Sequence, residues 1–227
     1  MKYRDFENII TSARLNRYLA ACGGDSRKAM TLYRKNLQLS QEMFTVISCF
    51  EITLRNRIDK HYTLSLGNNW LQNAASVNGI FDNKNCRHTQ AGIVDAIRKL
   101  NHTYAHFKLV AELGFGFWRY LFANHQFAAA GRTLLHIFPD KPRSNPVIQY
   151  NQAFIFNRLA EINVIRNRIA HHEPICFTPG MGIKNTDYAR YRYMVIMQLF
   201  QWMGVNEAAL LFGLDHIISV CDKIDRL

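Results

Sequence analysis

The sequence predicts an all-α protein, and three observations carry that expectation. Apolar residues recur at steps of three and four along most of the chain, β-branched alternating runs are few, and capping side chains stand before the apolar stripes. Taken in order, short helices are expected near 7–21 and 26–38. A long one is expected to start at Ser40, ahead of Gln41 and Glu42, where a hydroxyl can cap the first turn. Its stripe is Ile47, Phe50, Leu54, Ile58 and Tyr62, and Gly67 ends it. Residues 67–88 are rich in Asn and Gly and read as a loop. Helices follow near 89–110 and 115–130. A second long helix is expected from Asn145 and Pro146 through Ile148, Ile155, Leu159, Ile162 and Ile169. Pro174 stops it by driving Glu173 out of the helical region. Residues 174–186 form a second loop, 187–203 another helix, and Asn206-Glu207 opens a last one with Leu210, Leu214, Ile217, Cys221 and Ile224 on one stripe.

A single domain over 1–227 is the simplest organisation, with 1–39 as an N-terminal helical extension and 40–227 as the main bundle. The 48% apolar and 12% aromatic content suffices for a packed core. No uninterrupted apolar run reaches membrane-spanning length and the first residues lack the apolar core of a signal peptide, so a cytoplasmic protein with no membrane partner is expected. Five cysteines, far apart and never in a CxxC pair, argue against a disulfide framework or a thiolate zinc site. Against 17 acidic residues stand 28 Lys and Arg, a formal charge of +11 that favours polyanions. Nucleic acid is the default partner; an acidic protein or an anionic membrane face are the alternatives.

On the second long helix, at about 100° per residue, Arg166 shares the stripe of Ile155, Leu159 and Ile162. A guanidinium aimed at a packed side needs a carboxylate, an interface or a bound anion. His171 and His172 follow in the final turn, and histidine is the residue type that titrates near neutrality, as a general acid or base requires. In an ideal helix Arg166 and His171 point about 140° apart, so meeting on one ligand would take a kink or a second subunit. The plain alternative is an Arg166 paired with a buried acid and two histidines that only cap the helix. Glu51 and Arg55 have the spacing of an intrahelical ion pair, and Glu51 could instead hold a catalytic arginine in place. His61, on the apolar stripe, reads as a core histidine or as part of a second Arg-Asn-Arg-Ile motif, since Arg55–Ile58 repeats Arg166–Ile169. His102 and His106 have zinc-like spacing but no third ligand. The cluster Phe115, Phe117, Trp118, Tyr120 and Phe122 suits a core, a dimer face or base stacking. Arg190, Tyr191, Arg192 and Tyr193 interleave basic and aromatic side chains as RNA-binding surfaces do. No phosphate-binding or dinucleotide glycine fingerprint is present.

The run Arg166-Asn167-Arg168-Ile169-Ala170-His171-His172-Glu173-Pro174-Ile175 resembles the signature of the Abi-like (abortive infection, AbiD/AbiF type) proteins of the HEPN superfamily. Arg14–Leu19, Leu32-Tyr33 with Leu39-Ser40, Phe50-Glu51 through Ile58, and Leu113–Trp118 are similar to that family in the same order. The resemblance implies a HEPN-like helical bundle with flanking helices and metal-independent RNA cleavage by the ribose 2′-OH, with no cofactor. It implies His171 as general base or acid, with His172 competing for that role, Arg166 against the phosphorane charge, and Asn167 as an orienting group. Glu51, Arg55 and Arg168 would support the site, and Arg57, His61, Arg190 and Arg192 would hold RNA. A homodimer with the cleft at its interface is expected, and an antitoxin, protein or small RNA, is a possible partner. A noncatalytic RNA binder and a purely structural dimerisation module are the other readings.

Overall fold

The computed structural model describes every residue, Met1–Leu227. It is all-α: the sole β feature is an isolated antiparallel bridge between Phe177 and Lys184. The helices are α1 Tyr3–Ile10, α2 Ser12–Ala21, α3 Ser26–Leu66, α4 Trp70–Ala75, α5 Arg87–Leu100, α6 His106–Glu112, α7 Phe115–Tyr120, α8 Asn124–Ala129, α9 Gln152–Ala170, α10 Asp187–Trp202, α11 Glu207–Leu210 and α12 Ile217–Asp225. No helix is long and apolar enough to cross a membrane. All five cysteines are free thiols. The chain divides into two compact units, one of Met1–Ser48, Val164–Gln198 and Glu207–Leu227, the other of Cys49–Asn163 and Leu199–Asn206.

Several expected boundaries move, each for a local reason. Ser40 is not a helix start but lies inside the 41-residue α3. Leu32, Leu39, Met43, Val46, Phe50, Leu54, Ile58 and Tyr62 are all buried at helical steps across it, and neither Gly nor Pro interrupts them. The true cap is Asp25, whose carboxylate accepts the backbone N–H of Arg27 at 2.9 Å and of Lys28 at 3.0 Å. These bonds, the one from Lys28 foremost, hold the Asp25 carboxyl below its ordinary range. Asn145 likewise does not start α9. Its side chain accepts the N–H groups of Val147 and Ile148 to close a turn, and Asn151 caps α9 through the N–H of Phe154 at 3.0 Å. Ile148 therefore lies outside the helix whose stripe it was expected to join. The expected 7–21 helix breaks at Thr11 (φ 79°), and the expected last helix breaks at Gly213 (φ 73°). The 89–110 and 115–130 segments each divide into two helices, α5 with α6 and α7 with α8. The 67–88 loop contains α4, because Trp70, Leu71, Ala74 and Ala75 are all buried.

In the first unit Leu15, Tyr18, Leu32, Leu39, Ile165, Phe177, Ile196 and Ile217 form the core. Tyr18 meets Tyr33 and Phe177 edge-on at 5.2 and 5.1 Å. Asn36, 3% exposed, accepts the N–H groups of Ile175 at 2.9 Å and Cys176 at 3.2 Å. That pins the segment just after α9 to α3, since an extended chain in a core must satisfy its backbone donors. In the second unit Phe50, Leu54, Tyr62, Trp70, Trp118, Phe122, Ile155, Leu159 and Phe200 are buried. There the Asp59 carboxylate accepts Trp70 Nε1–H at 2.8 Å and lies 2.7 Å from His106 Nε2. His106 thus has a half-buried acid partner rather than serving with His102.

Candidate functional site

The C-terminus of α9 ends in a hooked cap. The N–H of Glu173 bonds the carbonyl of Arg168 at 2.8 Å and the N–H of His172 bonds that of Ile169 at 2.9 Å, the paired pattern in which one residue turns left-handed. That residue is His172, at φ 56°. Glycine is the usual occupant of such a position, and a side chain there costs about 1 kcal/mol or somewhat more. The hook is fastened by Arg168, whose Nη2 donates to the Pro174 carbonyl at 2.8 Å, whose Nε lies 3.2 Å from Glu173 Oε2, and whose Cζ sits 5.0 Å from the Tyr188 ring centre. It is fastened again from α2, where Arg14 Nη2 donates to the His172 carbonyl.

This turn throws His171, His172 and Glu173 outward, all three exposed, into an open pocket of about 310 Å³ that they share with Ala13, Arg14, Arg17, Tyr18 and Pro174. Two fixed positive charges and two imidazoles therefore stand against one carboxylate, and that carboxylate lies against Arg168. The pocket suits an anion. The Arg17 guanidinium lies 5.1 Å over the Phe177 ring, a cation–π contact that restrains the charged head where it lines the pocket. Tyr18 is 2% exposed and burial raises its hydroxyl far above the ordinary phenol range, so this wall is uncharged. Cys176, buried close by, has its thiol pushed up to about 12 by burial, which rules it out as a thiolate nucleophile at neutral pH.

The structure brings His171 and His172 together but does not place Arg166 in the pocket. Arg166 is half-buried on α9, with Nη1 3.5 Å from Asn167 Oδ1, and Asn167 is exposed. Regular helix persists to Ala170, so no kink within α9 turns Arg166 toward His171. Arg190 is held by Asp222 at 2.6 Å, Asp225 at 2.9 Å and Thr186 at 3.0 Å, which gives it an internal role in joining α10 to α12. Arg192 stacks at 5.1 Å on both Tyr188 and Tyr191. In the second unit Glu51 and Arg55 are half-buried on α3 and Arg57 is exposed. His61 Nε2 lies 2.9 Å from Thr133 Oγ1 and its ring 6.1 Å from that of His136. Burial first, and His136 second, lower its affinity for a proton.

Arg14 and Arg17 are the site residues that sequence reasoning missed. Their spacing on one face of α2 is visible, but the sequence separation of 158 between Arg14 and His172 hides the pairing.

An all-α unit that collects two arginines and two histidines around an open pocket defines a helical protein with a basic surface pocket. The sequence model of the family described as Abi-like protein matches residues 3–176, well over half of the chain and all of the pocket, and the chain belongs to that family. No curated protein and no solved structure matches it.

Proposed function

We propose that the protein is a metal-independent endoribonuclease of the HEPN type, acting in bacterial abortive infection or as the toxin of a toxin–antitoxin pair. The observation that carries this reading is the presence of His171 and His172 in one open pocket with Arg14 and Arg17. Family membership supports it through the abortive-infection role that the family's name denotes.

In this reading a phosphodiester enters the pocket and its non-bridging oxygens meet Arg14 and Arg17, whose forked donors match phosphate geometry. His171 accepts the proton of the ribose 2′-OH. The 2′-oxygen then bonds to phosphorus, negative charge collects on the equatorial oxygens, and the bond to the 5′-oxygen breaks as that oxygen takes a proton from His172 or water. The products are a 2′,3′-cyclic phosphate and a 5′-hydroxyl. Preorganised positive charge at the phosphorane is the larger contribution expected from the arginines. Arg166 and Asn167 join the site from a second copy of the chain, which reconciles their position on α9 with the role the family resemblance implies.

End analysis of products tests the reading. Labelled RNA incubated with the protein in EDTA should yield cyclic-phosphate ends that vanish in His171→Ala. RNA retained without cleavage by both proteins would instead mark a noncatalytic RNA binder, and RNA neither held nor cut a structural module.

A further inference from the structure

The second unit contains a larger pocket, about 480 Å³, a volume in the range of small-molecule sites. It is walled by α5, α7 and α8 and by Asn85 in the loop before α5. The RNA-cleavage reading makes no use of it. Two of its lining residues are helical glycines, Gly92 in the middle of α5 and Gly116 in the first turn of α7. Glycine is a poor helix residue beside alanine, so its presence at such positions calls for a local cause. Backbone conformation is not that cause, because neither has a positive φ. Packing is not the cause either, since a Cβ built on either one meets nothing within 4 Å. The remaining explanation is the open space itself: each missing side chain leaves bare backbone facing a cavity.

The other walls say what would fit there. Phe117 and Tyr120, one helical turn apart on α7, offer aromatic surface, and Tyr120 is half exposed at 50%. Thr89 and Gln126 are buried polar side chains at 6% and 7% exposure. Gln126 donates one amide hydrogen to Thr89 Oγ1 at 3.0 Å, which fixes the amide plane and leaves its oxygen and second hydrogen for a ligand edge. No Lys, Arg, Asp or Glu lines the pocket, so a charged guest would lose hydration without a fixed counter-charge. Bare helical backbone at two glycines, aromatic faces, the imidazoles of His88 and His125, one oriented amide and no fixed charge together describe a site for a flat, neutral, hydrogen-bonding ring system.

We infer that this pocket binds a neutral bicyclic heteroaromatic molecule of the purine type, with Gly92 and Gly116 providing the slot and Gln126 reading the ring edge. The two glycines are specificity-determining through the room they leave. Placing a methyl group there should improve the helix and spoil the site, a pair of opposite effects that no purely structural role of the glycines produces.

Isothermal titration of the full chain with adenine and with hypoxanthine, using cyclohexanol as a non-planar control, tests this. At least one purine base should bind saturably and cyclohexanol should not. Gly92→Ala should weaken that binding tenfold or more while the melting temperature rises or holds. Gln126→Met, which keeps the side chain's length and removes its hydrogen bonds, should also weaken it several-fold. The proposal is overturned if neither base binds to the unaltered chain, if cyclohexanol binds equally well, or if Gly92→Ala and Gln126→Met both leave the affinity unchanged.

Discussion

Arg14 on α2 donates a hydrogen bond to the backbone carbonyl of His172, so the guanidinium that charges the pocket also holds the turn that presents its histidines. Charge and geometry are therefore coupled at this residue, whereas Arg17 contributes charge from a guanidinium placed over the Phe177 ring. Arg14→Ala should lose RNA affinity and also about 1 kcal/mol of stability, the typical contribution of one such hydrogen bond. Arg17→Ala should reduce RNA affinity with little change in stability. If Arg17 meets phosphate, the slope of log affinity against log salt should fall by roughly 0.7 to 0.9. Filter binding over a salt series, with chemical denaturation of both variants, checks each part; an unchanged slope would remove Arg17 from the contact.

The left-handed backbone of His172 makes a prediction in the opposite sense. His172→Gly should relieve a strained conformation and raise stability by about 1 kcal/mol, offset in part by glycine's greater freedom in the unfolded chain. His172→Val should lower it, because a β-branched residue is least tolerant of positive φ. Thermal unfolding of the two variants reads this directly, and a lower melting temperature for the glycine variant would show that the imidazole stabilises the hook by more than the strain costs.

Asn36 anchors the segment that follows the hook. Asn36→Ala leaves the buried N–H groups of Ile175 and Cys176 without their acceptor, and the expected cost is about 2 kcal/mol. Denaturant unfolding measures it. A loss well under 1 kcal/mol would mean that water or a shifted backbone takes over the two donors.

His61 supplies a pH dependence. Its folded-state proton affinity is lowered, by burial first and by His136 second, from an ordinary value of 6.5. The unfolded chain therefore binds a proton more readily than the folded one. Stability from this group is complete above about 6.5 and is lost as pH falls through that value, levelling off once the folded form also protonates. His61→Gln should flatten the fall in stability between neutral pH and mildly acid pH relative to the unaltered chain. Urea unfolding of both proteins across that window gives the comparison, and parallel curves would assign the acid sensitivity to other groups.

The all-α class was legible because helical periodicity survives in every long segment. Element ends were less so. Ser40 and Asn145 have the chemistry of caps, yet the first lies in an apolar stripe that never breaks and the second closes a turn of its own. Thr11 ends α1 and Gly213 turns the chain between α11 and α12, both through positive φ, which in Thr11 no residue-type preference announces. In the candidate site His171 and His172 could be read from their place before Glu173-Pro174. Arg14 and Arg17 could not, since their meeting with the histidines depends on how distant helices pack. Arg190 shows the converse: within a basic and aromatic run, this one side chain holds two acids of α12, a partnership set by packing between α10 and α12 that the run itself does not announce.

The central claim is that the imidazole beside the two arginines moves the proton of the attacking hydroxyl. Its most direct measurement is the single-turnover rate of RNA cleavage in EDTA for the unaltered chain and for His171→Ala, with His172→Ala as the comparison and folding verified for each. Cleavage without metal, a fall of about two to four orders of magnitude in His171→Ala, as loss of a general base produces, and retained RNA binding in both variants are the expected results. Equal rates for the unaltered chain and His171→Ala, or cleavage that stops when EDTA is added, would contradict the claim.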